Sequence, residues 1–326
     1  MDSSRPLASL SLDLDNQWSY MKTHGDQGWE KFPSYFDIVL PGLLDVLAEQ
    51  KLKITFFLVG QDAALEKNRE ALETITARGH EVGNHSFHHE VWLHTQSKAQ
   101  IEKEILEAEG HIVRVTGDKP VGFRGPGFSW NEAVIEVLVD HGYLYDATTL
   151  PMYLGPLARL YYFWNSKLSS EEKEQRSNLY GSFKDGLRPV KPYFWEMSAE
   201  ARLLEIPVTT IPIIKVPFHL SYLLYLSRYS GALMRQYLRL AVGFCRMAGV
   251  GPSFLLHPLD FISGDQVPEL KFFPGMDLDR DHKFKVFRDV ITYLGRHFKL
   301  SPMSVHASAL TKRGKLKTLR LRNHRG

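Results

Sequence analysis

Residues 7–14 (Leu-Ala-Ser-Leu-Ser-Leu-Asp-Leu) alternate apolar and polar side chains, the period of a half-buried strand. The run at 54–59 (Ile-Thr-Phe-Phe-Leu-Val) is continuously apolar apart from one threonine and reads as a buried strand. Shorter strands are expected at 81–83, 121–123, 143–145, 203–208 and 253–256, and a last one at 300–305. Helical spacing of apolar positions falls between them, over 34–50, 63–78, 98–116, 131–141, 220–247 and 281–298. Gly79 and Gly142 close two of these helices, and Pro41 marks a break or kink inside the first. Strands that alternate with helices in this way predict a β/α fold with parallel strands. The polar stretch 165–191, rich in Ser, Glu and Lys, reads as an exposed insertion.

Composition narrows the class. The chain has 326 residues, 44% hydrophobic and 24% charged, as expected of a globular domain with a sizeable core. We expect one domain over 1–311 and a basic, disordered tail over 312–326. Cys245 is the only cysteine, which excludes an intramolecular disulfide and a cysteine-based zinc site and suits a reducing, cytoplasmic setting. The first residues lack a basic-then-apolar leader, and no uncharged apolar run reaches the roughly 18 residues of a spanning helix.

Net charge is +3, yet the tail alone holds seven Lys or Arg and no acid, so the body is mildly acidic. Arg228, Arg235, Arg239 and Arg246 share one stripe of the expected 220–247 helix, opposite Tyr222, Leu223, Leu233 and Leu240. Either this is an outer helix with its arginines in water, or it is an amphipathic surface for the inner face of an anionic membrane, joined by the tail. No specific nucleic-acid partner is expected from the tail alone.

The reactive residues fall at the same end of the expected strands, where parallel barrels gather their chemistry. Asp13 and Asp15 end the first strand two residues apart and share a face, either capping a loop or flanking a cation. His85 and His89, four apart, form either a polar loop or half of a two-His, one-carboxylate metal set. Arg124, in Arg-Gly-Pro-Gly, sits on a stiff turn, as a surface ion pair or as a cation at a substrate. His257 follows an apolar strand, as a bonded core histidine or a general acid near neutral pH. There is no Gly-x-Ser-x-Gly elbow and no Walker loop.

Taken in order, these motifs resemble the polysaccharide deacetylases with a NodB-like catalytic domain. The residues that carry the resemblance are Asp13-Leu14-Asp15, His85-Ser86-Phe87-His88-His89 with its Gly79-His80-Glu81-Val82-Gly83-Asn84 approach, Arg124-Gly125-Pro126, Tyr145-Asp146-Ala147 and Leu255-Leu256-His257. The separation of the aspartates by Leu14 is similar to the Asp-x-Asp, peptidoglycan-deacetylase-like subgroup. The resemblance covers about 8–150 and resumes near 200–305. It implies a distorted (β/α) barrel of about seven parallel strands that removes an acyl group, acetyl first, from the amide nitrogen of an N-acylated sugar in a polysaccharide or lipid-linked glycan.

By that resemblance Asp15, His85 and His89 hold one divalent cation, zinc first, with ferrous iron, cobalt or manganese as the other candidates. Asp13 is the base, kept ionised by Arg124, and His257 protonates the leaving amine. Asp146, Glu205, Pro126 and Leu255 support the site or face the substrate. The competing readings are a hydrolase of a small amide such as a ureide, and an inactive carbohydrate-binding barrel.

Overall fold

Alternation along β1 (Leu7–Leu14) splits its side chains between two environments. Leu10, Leu12 and Leu14 join the main apolar core beneath the helices, whereas Ser11 and Asp13 point to the other side, where Arg124 meets both. The structure, a computed structural model, describes residues 5–153, 185–198 and 200–321. Around β1, the strands β2 (Thr55–Leu58), β3 (Glu81–Asn84), β4 (Gly122–Phe123), β5 (Tyr145–Asp146), β7 (Arg202–Glu205) and β8 (Ser253–Leu256) complete a run of seven parallel neighbours in the order β7-β5-β4-β3-β2-β1-β8. This is the expected distorted barrel.

The two ends of that run are joined by a short bridge. Beyond β7, the Thr209 N–H donates to the Ser253 carbonyl at 3.1 Å, and the Ser253 N–H donates to Thr209 Oγ1 at 2.7 Å. Three further strands lie off the ring: β6 (Tyr193–Glu196) antiparallel to β7, β10 (Lys317–Arg320) parallel to β6, and β9 (Lys299–Ser301) beside the start of β1. Between β4 and β5 the sheet needs a glycine, because a Cβ on Gly122 would lie 1.9 Å from the Tyr145 ring.

Helices α1 (Gln17–His24), α2 (Phe36–Glu49), α3 (Gly60–Ala64), α4 (Arg69–Ala77), α5 (Lys98–Thr116) and α6 (Glu132–Asp140) cover the first half. Helix α2 runs through Pro41, and α5 spans the range its apolar spacing predicted, started by a Ser97–Gln100 capping box. The single helix expected over 63–78 is interrupted, since Leu65 is extended (φ −88°, ψ 117°) between α3 and the turn that leads to α4.

The helix expected over 220–247 is two helices, α7 (Leu220–Tyr229) and α8 (Gly231–Ala248). Ser230 is extended and its side chain accepts from the N–H groups of Ala232 and Leu233, so it stops one helix and caps the next. The stripe of four arginines is thereby broken, with Arg228 on α7 and the other three on α8. Helix α9 (Arg280–His297) follows as predicted.

Two expectations for the C-terminal region are corrected. The strand expected at 300–305 stops at Ser301, because Pro302 opens α10 (Met303–Arg313). The tail expected to be disordered from 312 instead completes α10 and then forms β10, whose Leu319 packs against the core by Tyr193 and Trp195. Most of the polar stretch 165–191, namely 165–184, lies outside the described residues, as do 322–326. No helix among the described residues is long and apolar enough to cross a membrane.

Candidate metal centre and active site

The strand ends carry the site. Asp13 lies in the last turn of β1 and Asp15 just beyond it; His85 follows β3, Arg124 follows β4 and His257 follows β8. Register brings two of these together, because Leu12 pairs with Leu256 and the next residues along the parallel strands are Asp13 and His257.

Asp15, His85 and His89 are all buried, and one ligand atom from each lies within 4.8 Å of the others. Asp15 Oδ1 is 2.8 Å from His89 Nε2 and 3.4 Å from His85 Nε2, yet it has no aligned hydrogen-bond donor. The reason can be traced through His85. Its Nδ1 lies 2.6 Å from the Arg124 carbonyl, which can only accept, so Nδ1 carries the hydrogen and Nε2 of the neutral ring presents a lone pair. With His85 neutral, its lone pair and the Asp15 oxygen face one point, and this donor set fits a divalent cation. Burial would raise the Asp15 carboxyl, but the charge of His89 and the nearness of both rings outweigh it and hold it well below the usual carboxylate range.

The loop bearing the histidines is held from behind. Ser86 and His89 both adopt positive φ, 59° and 54°. Glu104 on α5 accepts from the N–H groups of Phe87 (3.1 Å) and His88 (2.9 Å) and also engages the His88 ring, fixing that unusual backbone. His88 is thus tied to α5, although half of its side chain is exposed.

Asp13 has a separate partner. Arg124 is fully buried; its Nη1 donates to Asp13 Oδ1 at 2.6 Å and to Ser11 Oγ at 2.9 Å, while Nε donates to the Ala147 carbonyl at 3.0 Å. Its guanidinium also stacks 4.4 Å from the centre of the Phe57 ring. This is a clamped interior ion pair, not a surface one. Pro126 is buried and opens the turn Pro126–Phe128 that follows the clamp. Leu255 is buried in β8, paired in register with Ser11.

Asp146 and Glu205 lie across from each other on β5 and β7, and neither faces Asp13. Asp146 shares its register with Phe123, which points into the helix-side core, so alternation places it opposite Arg124. Burial pushes both carboxyls up; the neighbouring Glu205 raises Asp146 further, whereas the hydrogen bond from Asp146 pulls Glu205 back down. They still reach the site indirectly: Asp146 binds the Thr148 hydroxyl, which accepts from the Gly125 N–H at 2.9 Å beside Arg124.

Several participants carried no sequence signal. The Ser221 hydroxyl at the start of α7 lies 3.2 Å from His257 Nδ1, and Asp260 accepts from the His257 backbone at 2.9 Å. His219 lies beside His257, and burial together with the charge of His257 lowers it to about 3. Behind Asp15, the buried Asp62 accepts from Asn16 (2.7 Å), Trp18 (2.9 Å) and Asn68 (3.1 Å), and burial raises it to about 7. Asn16 caps α1 directly after Asp15, and Trp18 packs edge-on against His89, so Asp62 braces two neighbours of the metal set.

Comparison with known proteins agrees with this geometry. Residues 26–145 match the polysaccharide deacetylase family. The stretch contains His85, His89 and Arg124, while Asp13, Asp15 and His257 lie outside it. Over 138 residues the chain is 30% identical to a peptidoglycan-N-acetylglucosamine deacetylase of Bacillus cereus, covering 42% of this chain and 60% of that protein. Over 147 residues it is 31% identical to a peptidoglycan deacetylase of Helicobacter pylori, covering 43% of this chain and 48% of that one. The chain thus spans about half the length of these relatives. A solved structure from Pseudomonas aeruginosa assigned to the polysaccharide deacetylases superposes with a TM-score of 0.58 at 18% identity, over 94% of this chain and 91% of that one, so the two share a fold.

Proposed function

We propose that this chain is a metal-dependent amide hydrolase that removes an acetyl or related acyl group from an N-acylated sugar of a glycan. One observation carries the reading: a buried Asp15–His85–His89 set whose ligand atoms converge, beside an Asp13 clamped by a buried arginine. A divalent cation held by those three residues would supply Lewis acidity, acidifying water and polarising the acyl carbonyl.

The chain's own groups supply the rest. Asp13 accepts the proton of the attacking water, and the Arg124 guanidinium, bonded to it at 2.6 Å, keeps it aimed. His257, held at Nδ1 by Ser221 and one strand away from Asp13, donates a proton to the departing amine nitrogen as the C–N bond breaks. The relatives that act on N-acetylglucosamine polymers support a hexosamine substrate, and the matched region supports the reaction class.

The test is metal analysis paired with acetate release from chitooligosaccharides, with a cyclic ureide as control. His85→Ala and His89→Ala should each lose bound metal and turnover. Asp13→Asn should retain metal and lose at least about a hundredfold in kcat. Full metal content in both histidine variants would reject the ligand set, and turnover of the ureide alone would reject the sugar.

A further inference from the structure

We infer that the outward side of α7 and α8, with the neighbouring loop at 211–217, is a docking surface for an anionic lipid bilayer. Three features converge on it. The first is charge: between Glu205 and Asp260 the chain has no acidic residue, and besides Lys215, whose ammonium donates to the Gly186 and Arg188 carbonyls, it carries Arg228, Arg235, Arg239 and Arg246. All four arginines are exposed; Arg228 is paired with Asp277 at 3.0 Å, so the charge of the face rests on the three of α8.

The second is the placement of large apolar side chains in water. Of the fourteen that are exposed among the described residues, seven fall between 213 and 247. On α8 they are Leu233 (49% exposed), Leu240 (51%) and Met247 (77%), each seven residues from the next. Helix α8 faces the core with Met234, Leu238, Ala241, Val242 and Cys245 instead. At about 100° per residue the Leu233–Leu240–Met247 row stands on one flank of the outward face and the Arg235–Arg239–Arg246 row on the other. Leu233 and Leu240 therefore do not serve as the buried stripe that the sequence suggested.

The third is the loop. Ile213 is 77% exposed and adopts φ 76°, a conformation that a β-branched residue rarely occupies. The loop is fastened to α8 where Tyr237, close to the leucine row, donates to the Pro217 carbonyl at 2.6 Å. Ile213 and Ile214 are thus displayed in water on a loop anchored to α8.

A bilayer suits all three features better than the alternatives. A second copy meeting this face through a twofold axis would set arginines against arginines with no acid from the segment to offset them. Nucleic acid would engage the cations but leave exposed Leu, Ile and Met side chains without a partner. An anionic membrane takes the cations at its headgroups and the aliphatic tips just below them. Helix α7 has ten residues, about 15 Å, and Ser221 at its start holds His257, so a docked surface would lie close to the cleft.

The inference stands apart from the hydrolase reading, because vesicle binding requires no turnover. The full chain should co-sediment with vesicles of equimolar phosphatidylglycerol and phosphatidylcholine. It should bind at least about tenfold less to pure phosphatidylcholine or at high salt. The double variants Leu240→Ser/Met247→Ser and Arg235→Glu/Arg239→Glu should each weaken binding about tenfold or more, with an unchanged melting temperature. If either misfolds, Ile213→Ser on the loop provides the same reading. No binding to the anionic vesicles, binding indifferent to all these changes, or a dimer that the same variants dissolve would each overturn the proposal.

Discussion

Single residues divide by how they meet burial. Arg124 and Asp13 are charged and interior, tolerable because Nε and Nη1 of the guanidinium find oxygen acceptors while Nη2 meets the Met303 sulfur at 3.7 Å. His306 meets burial by staying neutral. It is 3% exposed, its ring lies 3.1 Å from Ser9, and burial with the nearby charge of Arg313 lowers it to about 4. An unfolded histidine titrates near 6.5, so between that value and about 4 the unfolded chain takes up a proton that the folded chain refuses. Its contribution to stability is therefore complete above the unfolded pKa and is lost as pH falls toward the folded one. We predict that His306→Gln makes the loss of stability between about pH 7 and about pH 5 shallower by about 2 kcal/mol. Urea unfolding at the two pH values measures it, and parallel losses in both proteins would contradict it. Burial raises Asp62, Asp260 and the Asp146–Glu205 pair, which work in the opposite sense, so the comparison is made between variants rather than read from the parent alone.

Elements decide which of these residues a sequence reader can see. The loop that brings His85 and His89 to Asp15 was legible because its histidines and the glycine-rich approach fall in one short segment. Its brace was not: Glu104 is one of several acids on α5, and nothing in their spacing says which is buried under the loop. We predict that Glu104→Ala leaves α5 intact and weakens metal affinity by about ten- to a hundredfold, because the Phe87 and His88 N–H groups lose their acceptor. Metal titration followed by calorimetry would show it, and unchanged affinity would remove Glu104 from the site. Helix α1 escaped notice for a related reason, since Gln17–His24 lacks an apolar stripe and is fixed by the Asn16 cap and by Trp18. Strand β10 escaped because Lys-Thr-Leu-Arg looks like solvent-facing tail until β6 offers it an edge. The break at Ser230 was hidden by continuous helical periodicity on both sides of a capping serine.

For the whole molecule, seven parallel strands bring residues from opposite ends of the chain to one rim, as Asp13 and His257 show. A cation bound by Asp15, His85 and His89 ties β1 to β3 across the intervening β2. Its removal should therefore be felt in global stability. We predict that chelation lowers the melting temperature and that zinc restores it, by the free energy of the binding equilibrium, about 4 kcal/mol at a thousandfold excess over Kd. Scanning calorimetry of the stripped and reloaded protein reads this directly, and coincident melts would refute it. The ring itself is uneven. Everywhere else neighbouring staves share a parallel ladder, but where β7 should meet β8 the join is two hydrogen bonds through Thr209. Parting them costs roughly 1–3 kcal/mol, so that gap, like the single-pair join of β3 to β4, is a thin hoop of the cask. For the glycan substrate proposed above, the wall has its opening there, beside His257, while the opposite staves keep Asp15, His85 and His89 aligned.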